Sequence, residues 1–321
     1  MVSKQAVGGR RSFLLWCLLF LLPFGSAPPR LDAQEVAAED MVFRQRENVV
    51  YHEAHGVCLV MDIFTPKGTG NGHGIVDVIS GAWHSDRGKI RDHLRAQTFP
   101  ILCRKGYTVF AVRPGSITKF AAPEMLEHLQ HGIRWTKSHA DEFHIDPDHL
   151  GLMGASAGGH LACLAAVSPP REAAESEPFD TRVAAAAVFF PPTDFLNYGG
   201  RAIDIRGDGE MSRLLGRLAF AEAIDLRQAS DEQLTQAITR ISPARLVTAQ
   251  APPFLFIHGD ADPVVPLQQS EAMVAALKGV GVPVELIVKK GGGHPWLTLP
   301  LEVKRMADWF DRQLLPDAPQ Q

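Results

Sequence analysis

Gly154-Ala155-Ser156-Ala157-Gly158 is the stretch on which the reading of this chain turns. It follows the short apolar run Leu150–Met153, suited to a buried strand. It also opens the Ala-rich run Ala157–Val167, which reads as a helix. A serine held between strand and helix in so tight a turn takes strained backbone angles, and its neighbours two residues away must be small. Gly154 and Gly158 meet that demand, and Ala155 and Ala157 add room. The helix N-terminus behind Ser156 directs N–H groups at developing negative charge. A Gly- and Ala-rich chain produces some G-x-S-x-G by chance, but not in this strand–turn–helix context.

Working outward, the chain alternates between two periods. Strands are predicted at Val49–His52, Val57–Phe64, Ile75–Ile79, Tyr107–Val112, Val183–Phe190, Pro253–His258 and Val284–Val288. Helices are predicted at Arg91–Arg104, Pro123–Ser138, Leu267–Leu277 and Leu301–Leu314. Apolar strands alternating with helices predict an α/β fold, a mostly parallel twisted sheet covered on both faces. Right-handed crossovers then bring the C-terminal strand ends to one edge, where ligand sites form. The domain is expected over residues 49–315, with a polar linker at 34–48 and a tail at 316–321. Residues 195–245 break the rhythm, Gly- and charge-rich first and then helical at Ser212–Ala221 and Asp231–Thr239. That is long for a connection. It reads either as a small helical insertion over the site or as an excursion on the solvent side.

A serine hydroxyl needs a base to remove its proton, and the base needs an orienting carboxylate. Phe254-Leu255-Phe256-Ile257-His258-Gly259-Asp260-Ala261-Asp262 is an apolar strand that delivers two carboxylates into a loop. Asp260, directly after Gly259, reads as a turn-former whose side chain caps local N–H groups. Asp262 lies farther out and is the candidate acid. Gly291-Gly292-Gly293-His294 then places a histidine in a loop after the last predicted strand. The order Ser156, Asp262, His294 suits a nucleophile–acid–base triad carried on strand ends. Asp194, at the end of Pro191-Pro192-Thr193-Asp194, reads as a cap or turn residue.

The segments G-A-S-A-G-G-H-L-A, H-G-D-A-D-P-V-V-P and G-G-G-H resemble the esterase and prolyl-oligopeptidase-like branch of the α/β-hydrolase superfamily, most of all acetyl-xylan or feruloyl esterase-like enzymes. The resemblance covers about residues 51–314. It implies an α/β-hydrolase fold with Asp262 as triad acid and His294 as base. It also implies ester hydrolysis through an acyl-enzyme, on acetyl or aromatic esters linked to carbohydrate, with no cofactor. The family's oxyanion motif H-G-G-A-W is matched by Ile79-Ser80-Gly81-Ala82-Trp83, so a bracing histidine and one glycine are replaced. The N–H groups of Ala82 and Ala157 are the expected oxyanion donors, with Gly81 a second candidate on the loop. Trp83 either lines the acyl site or packs in the core. His84, Asp86 and Arg87 read as solvated loop residues. Two other readings stay open: a serine peptidase of the prolyl-oligopeptidase type, and a non-catalytic binding protein on a hydrolase fold. The peptidase reading lacks an N-terminal sieving domain.

Composition narrows the partners. The 321 residues are 45% hydrophobic and 21% charged, with a formal net charge of −4. No concentrated basic face suggests nucleic acid or an anionic membrane. The histidines form no metal-binding spacing, so no metal is expected. Lys4, Arg10 and Arg11, the apolar run Phe13–Phe24 and small residues up to Ala33 read as a signal peptide over 1–33. Its apolar run is short of the ~20 residues that span a bilayer. Export through a Sec or twin-arginine route is expected, with no stable membrane anchor after cleavage. Cys58, Cys103 and Cys163 are too few and too scattered for a disulfide framework.

Overall fold

The computed structural model describes residues 41–168, 178–220, 226 and 228–315. The leader (1–33), the start of the linker and the tail (316–321) lie outside the described residues. Among the described residues, no helix is long and apolar enough to cross a membrane.

The strands are β1 (Phe43–Ala54), β2 (Val57–Pro66), β3 (Gly74–Val78), β4 (Thr108–Val112), β5 (Gly151–Ala155), β6 (Ala185–Phe189), β7 (Phe254–Gly259) and β8 (Val284–Lys289). They form one sheet in the order β1-β2-β4-β3-β5-β6-β7-β8. β1 pairs antiparallel with β2, and β2 antiparallel with β4. From β4 through β8 every pairing is parallel. This is the α/β-hydrolase fold expected from the sequence. β3 to β7 are buried along their whole length except at Ala155. That explains why they read as continuous apolar runs rather than alternating ones.

Alternate residues serve two cores. One face collects Val76, Val78, Phe110, Leu152, Val188 and Phe256, and the helices at residues 122–138, 157–167 and 268–279 pack there. The other face collects Ile75, Val109, Met153, Ala187, Leu255 and Ile257 under the helices at 98–104 and 299–314. Burying such side chains supplies roughly 25 cal/mol per Å² of apolar surface and makes the sheet the rigid frame of the site.

Two expectations need correction. The first strand begins at Phe43, not Val49, and the compact unit begins at Met41, so the linker assigned to 34–48 ends earlier than expected. The polar run Arg44–Asn48 hides this strand because it is an edge, where only one side is paired. The single helix expected at Arg91–Arg104 is two, Arg87–Arg95 and Thr98–Arg104, divided at Gln97, whose φ is 61°. Left-handed backbone cannot continue a right-handed helix. The stretch 195–245 contributes helices at Glu210–Ala219 and Asp231–Arg240. Its two ends are clamped together. The Asp194 carboxylate accepts from Arg245 Nε at 2.8 Å and Nη2 at 2.9 Å, and from the amides of Leu196 and Asn197. Asp194 is thus the turn residue it was read as.

The elbow fixes two glycines by contact. A Cβ on Gly154 would strike the Gly158 carbonyl, and one on Gly158 would strike the carbonyl oxygens of Val78 and Ser80. Gly279 ends its helix with open space around it. Gly158→Ala is therefore expected to destabilise the protein by roughly 2–3 kcal/mol through forced overpacking. Gly279→Ala should be neutral or stabilise by up to ~1 kcal/mol through its helix preference. Urea unfolding of both variants measures the contrast; equal midpoints would contradict it.

Candidate active site

Three residues from distant parts of the chain meet at the C-terminal edge of the sheet. Ser156 follows β5, Asp262 follows β7 and His294 follows β8. His294 Nε2 lies 2.8 Å from Ser156 Oγ, and His294 Nδ1 lies 2.7 Å from Asp262 Oδ2. A carboxylate only accepts, so Nδ1 carries the proton and Nε2 is left to accept from the serine hydroxyl. The two loops are pinned to each other by backbone. Gly259 and Gly292 pack so closely that a Cβ on Gly259 would strike the Gly292 carbonyl. The Ala261 amide donates to that carbonyl at 3.0 Å, and Asp260 Oδ1 accepts from the Gly291 amide at 2.6 Å. Asp260 is a cap, as expected, and what it caps is the loop bearing His294.

Asp262 is held as an anion. Burial works against its charge, but the neighbouring His258 together with hydrogen bonds from His294 and the amides of Val265 and Val264 outweighs it and holds the carboxyl well below the usual carboxylate range. The Oδ1 atom accepts from Val264 at 2.8 Å and Val265 at 2.9 Å, and Oδ2 faces His294. Fully buried His258 stands beneath, 3.6 Å from Oδ2. Its Nε2 lies 2.9 Å from the Val265 carbonyl and its Nδ1 2.7 Å from Ser270 Oγ, which ties the acid loop down to the helix at 268–279. The sequence holds the signal for His258, a histidine ending an apolar strand, but not its partners.

The oxyanion loop departs from expectation at one position. The Gly81 amide donates to the His84 carbonyl at 3.0 Å, so it closes a turn and is not free to bind an oxyanion. The amides of Ala82 and Ala157 have no acceptor among the described residues. Ala82 and Trp83 both take left-handed backbone, with φ of 47° and 57°. The Ser80 carbonyl accepts from the Gly158 amide at 3.0 Å, which seats the loop on the elbow. Asp86 and Arg87 are structural. Asp86 caps the helix at 87–95 through the Gly88 amide, and Arg87 pairs with buried Asp62 at 3.1 Å.

Trp83 does both things proposed for it. It lines the cavity, and its indole donates to His160 Nδ1 at 3.0 Å. His160 Nε2 in turn donates to the Ile241 carbonyl at 2.7 Å. Burial pushes the pKa of His160 down to about 4, so it stays neutral above that range and keeps this tautomer. The chain of bonds runs from the oxyanion loop, through the helix behind Ser156, to the last helix of the 195–245 stretch.

The cavity in front of Ser156 is about 760 Å³. Its walls are mainly apolar, with Trp83, Phe189, Phe190, Phe195, Tyr198 and Trp296 as the aromatic members. Met211 and Leu214 bring the helix at 210–219 into the wall, so the stretch 195–245 builds part of the site.

The arrangement can activate a hydroxyl, stabilise an imidazolium and receive negative charge on two amides. Against known proteins, the BD-FAE family profile matches residues 61–277, a span that holds Ser156 and Asp262 and stops before His294. The chain is 30% identical over 217 residues to the "Probable carboxylic ester hydrolase LipM" of Mycobacterium tuberculosis, covering 66% of this chain and 46% of that protein. It spans about half the length of the curated relatives it matches. A truncated carbohydrate esterase from gut microbiota superposes with a TM-score of 0.69 at 24% identity, over 86% of this chain and 98% of that one. The propionate-bound esterase Est2 of Thermogutta terrifontis superposes with a TM-score of 0.64 at 24% identity, over 86% and 96%. Both likenesses establish the fold.

Two outcomes are expected. His160→Leu strands the Trp83 N–H and the Ile241 carbonyl in the core, a loss of roughly 2–4 kcal/mol that calorimetry would register. A stability loss under ~0.5 kcal/mol would remove the relay described here. Asp262 has a folded pKa below its ordinary 3.8, so it contributes stability that is present above that value and lost as pH falls through the folded pKa. The stability gap between wild type and Asp262→Asn should therefore narrow below about pH 4. A constant gap from pH 7 to pH 2 would contradict the assignment.

Proposed function

Because the chain belongs to the BD-FAE family, we propose that it is a serine carboxylic ester hydrolase working through an acyl-enzyme on Ser156. The observation that carries the reading is the unbroken line Ser156 Oγ, His294 Nε2, His294 Nδ1, Asp262 Oδ2, at 2.8 and 2.7 Å.

In the mechanism, His294 Nε2 takes the hydroxyl proton as Ser156 Oγ bonds to the ester carbonyl carbon. Asp262 steadies the imidazolium, and the amides of Ala82 and Ala157 receive the carbonyl oxygen as it becomes an oxyanion. An amide donor of this kind typically stabilises the transition state by ~3 kcal/mol. The C–O bond to the alcohol then breaks, and the His294 proton goes to the departing oxygen. Water repeats the cycle: His294 takes its proton, its oxygen attacks the acyl carbon, and the proton returns to Ser156 as the acid leaves.

The substrate reading is an acetyl or aromatic acyl ester linked to carbohydrate. An apolar, aromatic-walled cavity of about 760 Å³ suits an acyl group up to the size of a ring. The leader read at residues 1–33 supports action outside the cytoplasm, which fractionation of expressing cells would test.

A fluorophosphonate probe should label wild type and leave Ser156→Ala unlabelled. Ser156→Ala should also lose roughly 10⁴-fold or more of p-nitrophenyl acetate turnover. An unlabelled, folded wild type would overturn the hydrolase reading, and faster cleavage of an aminoacyl p-nitroanilide than of the ester would favour a peptidase.

A further inference from the structure

The charge around the cavity is lopsided. Apart from His294, every Lys, Arg, Asp and His lining it is one of Lys89, Asp92, His93 and Arg95, all on the helix at 87–95. Lys89 and His93 are four residues apart and so share one face of that helix. Neither is used by the triad, and both have features that a merely solvated helix face does not require.

His93 is backed by a carboxylate of its own. Its Nδ1 lies 2.6 Å from Asp77 Oδ2, and Asp77 is fully buried on β3. The other oxygen of Asp77, Oδ1, is buried without a partner, so among the described residues His93 is the hydrogen-bond partner of the carboxylate. The proton between them sits on Nδ1, because a carboxylate only accepts. His93 is 12% exposed and lines the cavity; its Nε2 has no hydrogen-bond partner among the described residues and is not among the buried unpaired atoms. Burial opposes charge on His93, but the adjacent Asp77 overrides it and raises the pKa above 6.5. The doubly protonated form, with Nε2–H as a donor, is thereby favoured.

Lys89 is held against the oxyanion loop. A Cβ on Gly81 would lie 2.8 Å from Lys89 Cδ and 3.3 Å from its Nζ, so the lysine stem lies across Gly81 and delivers the ammonium beside it. Its carboxylate neighbour Asp92 is loose at 3.8 Å and is already engaged by Arg95 at 2.9 Å. The Lys89 ammonium and an imidazole backed by a carboxylate therefore stand, with Asp92 and Arg95 beside them, at one end of a cavity whose other walls are mainly apolar.

We propose that Lys89 and His93, with Asp77 behind, form a carboxylate-binding subsite, so that the ester this chain prefers carries an acidic group. The proposal deepens the ester-hydrolase reading and rests on it for the identity of the cavity. The carboxylate accepts from Lys89 Nζ and His93 Nε2, while the ester carbonyl lies over Ser156. Asp77 is the positioning residue that fixes the His93 ring.

Binding without turnover tests this. Calorimetry with Ser156→Ala would compare amide analogues in two matched pairs. N-phenylsuccinamic acid against N-phenylbutyramide puts the carboxylate on the acyl side. 3-Acetamidobenzoate against acetanilide puts it on the other. In one pair the acid is expected to bind at least ~10-fold more tightly, as for a charge-assisted contact out of bulk water. That preference should fall to parity when Lys89→Met and His93→Gln are added together, and persist with Lys89→Arg. Parity in both pairs, no measurable binding of either acid, or a preference that survives the double substitution overturns the proposal. Fluorophosphonate labelling of wild type separates the two readings. Acid-selective binding in an unlabelled protein would drop the esterase and keep the subsite, whereas labelling with parity would drop the subsite alone.

Discussion

Ser156 sits at φ 54° and ψ −122°, a backbone conformation that side-chain-bearing residues avoid, and the rest of the site is placed relative to that forced turn. Strain of this kind is of order 1–3 kcal/mol and persists only where its surroundings over-determine it. Here they do. The Ser156 amide donates to the Phe189 carbonyl at 2.9 Å, and the His160 amide donates to the Ser156 carbonyl at 2.9 Å. β5 lies inside the sheet with β3 and β6 on either side, so the strand that throws the serine outward cannot yield. The glycines that make the turn possible also admit the Ser80 carbonyl to the Gly158 amide. Elbow and oxyanion loop are therefore one rigid object, and amides need such rigidity to be aimed before charge develops.

The acid and the base reach this object from separate strands, and their mutual geometry depends on backbone rather than on side chains. Gly259 and Gly292 touch, and Asp260 and Ala261 bond across to Gly291 and Gly292. A loop of three successive glycines is floppy in isolation, since glycine has the most conformational freedom to lose. Sewn to the end of β7, it becomes a short strap that can place an imidazole to within a hydrogen bond. Beneath it, His258 keeps the Asp262 loop from sinking or swinging by joining it to the helix at 268–279.

The parts legible in the sequence were those whose reason is local. Gly154 and Gly158 flank a serine because backbone comes within contact there, and that is written in five consecutive residues. Apolar runs disclosed β3 to β7 because both faces of those strands are buried. The order Ser156, Asp262, His294 was readable because the strand ends of such a sheet share an edge. Features whose reason is tertiary were not readable. β1 begins in Arg44–Asn48, whose charges suit a half-paired edge and mimic a linker. The helix break at Gln97, by contrast, is announced by Pro100, which lacks the N–H that an unbroken helix would direct at the Ala96 carbonyl. Gly81 reads as an available donor, and only the turn of the folded loop brings its amide onto the His84 carbonyl. Asp77 reads as a stray acid in an apolar strand, and only the packing of His93 against β3 gives it a partner.

The replacement of the expected His-Gly pair by Ile79-Ser80 bears on how the oxyanion loop is braced, and the structure supplies the bracing elsewhere. Ile79 is fully buried and its amide donates to the Val112 carbonyl at 2.8 Å, so the residue extends the line of β3 instead of pointing a polar group at the loop. The loop is steadied instead at its far end, where Trp83 donates to His160 and His160 donates to Ile241. Ile241 follows the helix at 231–240, in a stretch whose base is closed by Asp194 and Arg245. The stretch 195–245 therefore has two roles that a solvent-side excursion would not have: it walls the cavity with Met211 and Leu214, and it terminates the relay that holds Trp83. A loop braced by a neutral buried histidine is insensitive to pH above the range where His160 titrates, near 4, so the amide of Ala82 keeps its place wherever Asp262 is ionised and His160 is not. The departure from the expected motif thus changes which residues carry the support, and leaves the amides of Ala82 and Ala157 without an acceptor among the described residues.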